Sequence, residues 1–172
     1  SDEEFYEENL KPVLRHTGPT LSGFNAWVLL KGLETLDLLV RAQSASAHKL
    51  AEALENTEVV TRVIYPHLES HPQYELCKKQ MALGGTLVSF EVEGGRERVF
   101  KTLNNLGIID ISNNLGDTKS LICHPASTTH HSIGEEARAQ MGVSEGLIRI
   151  SVGLEDVDDL VEDLTGAIKA SW

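Results

Sequence analysis

Arg149 is the one charged residue in a short apolar stretch at 147–153. Its guanidinium group offers a planar fork of N–H donors that can hold a carboxylate through two hydrogen bonds. Because side chains alternate between the faces of a strand, Arg149 would lie opposite Ile148 and Ile150. The pattern alone favours an ordinary arginine on the wet face of a half-buried strand. Arg149 is thus a candidate carboxylate-binding residue, with the surface interpretation left open.

A polar loop at 112–117, with the sequence Ser-Asn-Asn-Leu-Gly-Asp, is the second candidate. Asn113 and Asn114 shortly precede Gly116, and Asn and Gly are residues that tight turns favour. The amides and exposed backbone N–H groups of such a loop could also hold a polar substrate. The composition favours the turn, and both interpretations stay open.

Three histidines and one thiol lie within nine residues, at Cys123, His124, His130 and His131. Such side chains bind metal ions, which would suit a metal-dependent hydrolase. The spacing fits none of the usual zinc patterns, and no acidic residue lies inside the cluster. We therefore predict no metal site here and expect histidines that form hydrogen bonds in a loop. The hydrolase remains the weaker alternative.

The hydrophobic pattern predicts the elements that would position these residues. Apolar residues recur at three- and four-residue steps from 22 to 55, which indicates one long amphipathic helix, or two with a kink near Gly32. Ser22 is a suitable N-cap for this segment. Further helices are predicted at 70–81, 96–106, 135–141 and 155–169. Strands are predicted at 59–65, 86–92, 108–111, 121–123 and 147–152.

The expected fold class is α/β of the α+β type. We predict one mainly antiparallel sheet of about four strands, formed by 59–65, 86–92, 108–111 and 147–152. Helices 96–106 and 155–169 would cover one face of it, because a sheet buries its apolar face against another layer. The helical segment at 22–55 would lie partly outside this core.

The 172-residue chain is acidic, with a formal net charge of −11. Binding to nucleic acid needs clustered Lys and Arg, so we expect no nucleic-acid partner. No apolar run is long enough for a membrane span, and the acidic start lacks the features of a signal peptide. Cys77 and Cys123 are too few for a disulfide scaffold and are expected to be reduced thiols. These features predict a cytoplasmic globular protein without a membrane partner.

Several short sequence motifs become specific for one family when they are taken in order along the chain. They are RHTGPTLS at 15–22, LKGLETL at 30–36, VIYP at 63–66, SHPQ at 70–73, GGTLVSF at 84–90, NLGD at 114–117, HPA at 124–126, TTH at 128–130 and LIRISVGLED at 147–156. In this order and spacing the chain resembles the C-terminal part of the Cys/Met-metabolism enzymes that depend on pyridoxal phosphate. The resemblance covers essentially the whole chain.

The resemblance implies the small C-terminal domain of the fold-type I pyridoxal-phosphate transferase fold. Residues 1–56 would be the interdomain segment with its long helix, and 57–172 the small domain. The large cofactor-binding domain, with its Schiff-base lysine, would be absent from this chain. Pyridoxal phosphate would be the cofactor of the full-length enzyme, and no catalytic or cofactor-binding residue is expected here. We expect the chain alone to be inactive and to self-associate, and the full-length enzyme to be a homotetramer.

The resemblance also favours a functional role for Arg149 and for the polar loop at 112–117. In the family an arginine at the position of Arg149 holds the α-carboxylate of the amino-acid substrate, and Asn114 occupies a helper position that is Ser in the lyases. The NLGD and TTH strings are most like the homoserine-ester sulfhydrylases. These make homocysteine from O-succinylhomoserine, or from O-acetylhomoserine, and sulfide by γ-replacement in methionine biosynthesis. Alternatives are the cystathionine γ-synthase, cystathionine γ-lyase and methionine γ-lyase branches, or a stand-alone amino-acid-binding module.

Overall fold

The computed structural model describes residues 2–18 and 21–172, and the chain divides into two compact units, residues 1–37 and 38–172. The first unit is helical, with α1 (Asp2–Phe5), a π-helical turn (Tyr6–Leu10), α2 (Lys11–Thr17) and α3 (Gly23–Leu33). Pro12 stands in the first turn of α2, where a missing N–H leaves no helical bond unmade. The Ser22 side chain accepts a hydrogen bond from the Asn25 N–H, so the predicted N-cap is confirmed.

The predicted helical region at 22–55 is two helices. A turn at Glu34 and Thr35 separates α3 from α4 (Leu36–Glu55), two residues after Gly32. No residue of α3, all of which the structure describes, is buried. α4 buries one face of its later turns, at Gln43, Ser44, Ala47, Leu50, Ala51 and Leu54. Only this later part of the segment therefore contributes to the core.

The second unit contains one mixed sheet of five strands, in the order β1-β2-β5-β4-β3. The strands are β1 (Val60–Ile64), β2 (Leu87–Val92), β3 (Asp110–Ile111), β4 (Leu121–Cys123) and β5 (Leu147–Ser151). All neighbours pair antiparallel except β3 and β4, which are parallel. The prediction of a mainly antiparallel sheet is confirmed, but the count of about four strands is one too low. β4 lies between β5 and β3 and links them.

The remaining helices are α5 (Tyr74–Gln80), α6 (Gly95–Asn104), α7 (Glu135–Gln140) and α8 (Val157–Ala170). The helix predicted to begin at Ser70 begins only at Tyr74. Residues 70–73 instead form a turn, in which the Ser70 hydroxyl donates to Glu55 and the Gln73 N–H donates to His71 Nδ1. These side-chain bonds satisfy groups that a helix start would otherwise use.

The core lies on one face of the sheet. Val88 and Phe90 of β2 lie opposite Ile150 and Ile148 of β5, and all four side chains are fully buried. The same cluster includes Leu50 and Leu54 of α4, Val99 of α6, and Leu160, Leu164 and Ile168 of α8. The predicted packing of the helices near 96–106 and 155–169 on one face is confirmed. The opposite face of β5 carries Leu147, Arg149 and Ser151.

No helix in the described part of the chain is long and apolar enough to cross a membrane.

Candidate functional site

Arg149 lies at the middle of β5, flanked in register by Ser89 of β2 and Cys123 of β4. A strand with neighbours on both sides fixes its backbone firmly, so the start of the arginine side chain is well positioned. The side chain is half-buried, between the wholly buried Ile148 and Ile150 in sequence. The lone-charge pattern in the sequence therefore does mark an arginine on the face opposite the core.

The guanidinium group contacts the loop at 112–120. Nη2 donates to the main-chain oxygen of Asn113 at 2.9 Å and lies 3.5 Å from that of Asn114. Nε is buried and has no hydrogen-bond partner among residues 2–18 and 21–172. A buried unpaired donor is unfavourable, and for a charged group the penalty is larger. Arg149 is thus held in place by two carbonyls and retains an unused donor that a carboxylate could accept.

Asn114, the predicted helper, is exposed and lies next to Arg149 through its backbone. Its N–H donates to Ser112 Oγ at 3.3 Å. The nearer partner of Arg149 is the carbonyl of Asn113, a residue that the sequence placed in the polar loop without a role of its own. A carbonyl contact leaves no signal in residue type, because every residue has that group.

Three contacts tie the loop to the rest of the second unit. The Gly116 N–H donates to Ser151 Oγ at 2.9 Å, and Ser151 stands two residues after Arg149 on the same face of β5. Gln43 of α4 donates from Nε2 to the main-chain oxygen of Asp117 at 2.7 Å. The N–H of Leu154 donates to Thr118 O at 2.8 Å. The loop is therefore held by the strand that carries Arg149 and by α4.

The end of the loop is clasped by the Glu155 carboxylate. Oε1 accepts from the Ser120 N–H at 2.7 Å, and Oε2 accepts from the Ser120 hydroxyl at 2.8 Å. Ser120 Oγ in turn accepts from the Gly153 N–H at 2.8 Å. Hydrogen bonds to a charged acceptor are the stronger kind. Ser151, Gln43 and this clasp were missed at the sequence level, since each joins residues at least 33 positions apart.

The histidine-containing segment at 123–131 is distinct from the loop at 112–120. His124 is buried, with Nε2 donating to Glu145 O at 3.1 Å and Nδ1 lying 2.9 Å from Ser127 Oγ. Burial lowers the pKa of the His124 imidazole, so the neutral ring is favoured. Cys123 and His124 line a cleft of about 550 Å³ that also borders Asn113. Within the described ranges no group of three or more His, Cys, Asp or Glu side chains could hold a metal ion.

Lysine is the residue that binds a carbonyl cofactor covalently. Such a lysine needs a buried or electropositive site that lowers its pKa. All lysines of this chain lie in the described ranges, and all are exposed. Lys11, Lys31, Lys78 and Lys101 form surface ion pairs with glutamates, and Lys119 pairs with Asp110. None of these lysines fits the role of a cofactor-binding lysine. The thiols of Cys77 and Cys123 are both free.

Comparison with known proteins gives one family. Residues 1–169 match the model of the family described as "Cys/Met metabolism PLP-dependent enzyme". The chain is 51% identical over 171 residues to an O-succinylhomoserine sulfhydrylase of Mycobacterium tuberculosis, covering 97% of this chain and 42% of that protein. It is 47% identical over 148 residues to an L-methionine gamma-lyase of Porphyromonas gingivalis, covering 86% of this chain and 37% of that protein.

A solved structure resembles the chain as well. Cystathionine gamma synthase from Xanthomonas oryzae pv. oryzae, in complex with aminoacrylate and cysteine, superposes with a TM-score of 0.82 at 38% identity. The match covers 86% of this chain and 38% of the synthase. The chain thus spans about two fifths of the length of the relatives it matches.

Proposed function

The chain belongs to the family of Cys/Met-metabolism enzymes that depend on pyridoxal phosphate, and on that premise we propose that it is the substrate-anchoring part of a homoserine-ester sulfhydrylase. Arg149 holds the α-carboxylate of the amino-acid substrate, with Asn114 as helper. The resemblance of the sequence to the family, and not the residue pattern alone, implies this role for Arg149 and Asn114. The observation that carries the proposal is the unpaired, buried Nε of Arg149 beside a firmly anchored polar loop.

The proposed reaction is a replacement at the γ-carbon of an acylated homoserine. The Cγ–O bond to the succinyl group breaks and a Cγ–S bond to sulfide forms, so that homocysteine and succinate leave. The cofactor, when bound, serves as the electron sink that makes the α- and β-protons of the substrate removable. The part played by this chain is positional. A carboxylate pinned by a guanidinium fixes how the rest of the substrate is presented to the reacting groups.

We propose that the residues that hold the cofactor lie outside this chain. Every lysine here is exposed, and the relatives are more than twice as long as the matched region. We accordingly propose that 57–172 is the small domain and that 1–56 is the segment that joins it to a large domain. The isolated chain is expected to have no turnover, because every lysine that could bind the cofactor covalently is exposed.

The sulfhydrylase branch is favoured by the relative at 51% identity, with a methionine γ-lyase at 47% as the second candidate. The two reactions differ in their products, so the full-length enzyme can be assayed with each substrate. We expect the highest kcat/KM for O-succinylhomoserine with sulfide, followed by O-acetylhomoserine, measured as homocysteine formed. Faster release of a 2-oxo acid from methionine would instead establish the lyase. Turnover of none of these substrates would overturn both.

Ser151 is proposed as a positioning residue that acts on the substrate through the loop. Replacing Ser151 with alanine removes the acceptor of the Gly116 N–H and should loosen the Asn113 carbonyl that orients Arg149. We expect KM for the amino-acid substrate to rise about fivefold while kcat changes little, since a net hydrogen bond contributes about 1 kcal/mol. Steady-state kinetics of the full-length enzyme measures both.

Two variants check this role of Ser151. Ser151→Thr keeps the hydroxyl and should recover most of the affinity. Thr165→Ala removes a hydroxyl on α8 that donates to Val161 O, and should leave KM unchanged. Equal changes of KM in Ser151→Ala and Thr165→Ala, or a fall in kcat with KM unchanged in Ser151→Ala, would contradict a positioning role.

Self-association is proposed from the apolar side chains of the first unit. Phe24 is 70% exposed, Trp27 55% and Leu30 59%, all on α3. Large exposed apolar patches mark interaction surfaces. We expect the chain to sediment as a dimer or larger species at micromolar concentration, and Trp27→Ser with Leu30→Ser to shift it toward monomer. A monomer at all concentrations would refute the expectation.

A further inference from the structure

A second cavity, of about 420 Å³, lies between α4 and the segment that runs from Tyr65 through α5 to Gly84. Ser44, His48 and Lys49 of α4 line one side of it. His67 and Lys78 contribute from the opposite segment. None of these residues takes part in the site around Arg149. The volume is in the range of cavities that hold small ligands.

Unpaired polar atoms are concentrated at this cavity. Across residues 2–18 and 21–172, four buried side-chain nitrogen or oxygen atoms have no hydrogen-bond partner. One is the Nε of Arg149, at the proposed carboxylate anchor. The other three are Ser44 Oγ, His48 Nδ1 and His67 Nε2, and all three belong to residues that line this cavity. Native proteins rarely leave such atoms unpaired, so a cluster of three points to an absent partner.

The Tyr65 hydroxyl, in the wall of the cavity, forms hydrogen bonds to main-chain carbonyls and does not pair with any of the three unpaired atoms. The single proton of the Tyr65 hydroxyl is shared between the carbonyls of Ser44 and Gly85, at 3.2 and 3.0 Å from the oxygen. Burial raises the pKa of Tyr65 to about 12, so the hydroxyl stays protonated and keeps these bonds. A side chain at Gly84 would collide with the Tyr65 ring, because a Cβ there would lie 2.5 Å from Cζ. Gly84 and the Tyr65 ring are therefore packed closely at the edge of the cavity.

The chemistry of the lining favours an anion. A hydroxyl, two imidazoles and the ammonium groups of Lys49 and Lys78 can all donate hydrogen bonds. Two nearby carboxylates pair with these side chains, Glu55 accepts from the Ser70 hydroxyl, and Glu69 borders the adjoining surface with His48 and His67. Glu52 lies 3.5 Å from Nε2 of His48, and Glu75 lies 3.0 Å from Nζ of Lys78. Nε2 of His48 faces Glu52, which leaves the unpaired Nδ1 on the side of the ligand.

We propose that this cavity binds a small oxyanion, a phosphate or carboxylate group, through Ser44, His48 and His67. Lys49 and Lys78 supply positive charge at its mouth. The ligand would complete the hydrogen bonds of the three unpaired atoms, as a substrate carboxylate would for Arg149. The proposal does not depend on the reaction catalysed by the enzyme, since the residues that line this cavity are different from those around Arg149.

Calorimetric titration of the full-length, cofactor-saturated protein tests the proposal. The Arg149→Ala background is used, so that the proposed carboxylate anchor contributes no heat. Sodium phosphate and sodium acetate are titrated separately at constant ionic strength. Binding of either supports the oxyanion site, and the stronger of the two identifies the group that it recognises.

Two cavity variants and one matched control locate the binding. Ser44→Ala and His67→Ala should each weaken association by about tenfold, the effect of losing a hydrogen bond to a charged ligand. His131→Ala removes an exposed histidine elsewhere and should have no effect. Ser44→Ala changes one oxygen atom, so it remains informative if His67→Ala impairs folding. The absence of anion binding, or binding that both cavity variants leave unchanged, would overturn the proposal.

Discussion

Replacing Arg149 with alanine is expected to lower kcat/KM of the full-length enzyme for its amino-acid substrate by about a hundredfold or more. A charge-assisted pair in a partly dehydrated site contributes a few kcal/mol, and about 1.4 kcal/mol corresponds to a factor of ten. The guanidinium group is half-buried, and its Nε has no partner in the described residues. On the proposed role, its loss removes a substrate contact and, among the described residues, breaks no ion pair.

Two variants separate this role from a general effect of charge. Arg149→Lys should recover little activity, because one ammonium cannot reproduce a planar two-pronged donor. Arg62→Ala removes an exposed arginine from β1 and should leave kcat/KM unchanged. The fold of Arg149→Ala, followed by circular dichroism and thermal unfolding, should stay close to the parent. Normal kinetics together with a lost fold would make Arg149 a structural residue.

The position of Arg149 could be predicted because it depends on a local rule. Alternation along 147–152 assigned Ile148 and Ile150 to one face and Arg149 to the other, and the structure has the same assignment. The helix at 155–169 was likewise visible, since its apolar period extends over several turns. These features need only neighbours within a few residues, where side-chain spacing carries most of the information.

The remaining parts of the site depend on contacts between distant residues. β4 was seen as a short strand but not placed in the sheet, because three residues give too little alternation to show which strands it pairs with. The bond from Gln43 to Asp117 joins residues 74 positions apart. Ser151 could have been noticed, since a serine beside Arg149 on the same strand face is a polar residue in an apolar stretch. Its partner, a backbone N–H of a loop, could not.

Gly153 lies beside the hydrogen bonds between Glu155 and Ser120 that hold the end of the loop. Replacing Gly153 with alanine is expected to lower the free energy of unfolding by about 1–3 kcal/mol. A Cβ at this position would lie 2.5 Å from the Ser120 nitrogen and the Lys119 carbonyl carbon, and closer still to the Glu155 carboxylate. Glu155 can rotate away only by giving up the Ser120 N–H and hydroxyl that it accepts. The backbone of Lys119 and Ser120 must shift in either case. Urea unfolding of the chain, followed by far-ultraviolet circular dichroism, measures the change.

Gly166 provides the matched control, because it lies in α8 with nothing within 4 Å of an added Cβ. Gly166→Ala should be neutral or raise the free energy of unfolding by up to about 1 kcal/mol, the gain of alanine over glycine within a helix. In the full-length enzyme, Gly153→Ala should also raise KM for the amino-acid substrate, since the displaced loop carries the Asn113 carbonyl that holds Arg149. Gly166→Ala should not. A Gly153→Ala protein as stable as its parent, with unchanged KM, would mean that the loop adapts without cost and that the clasp does not position Arg149.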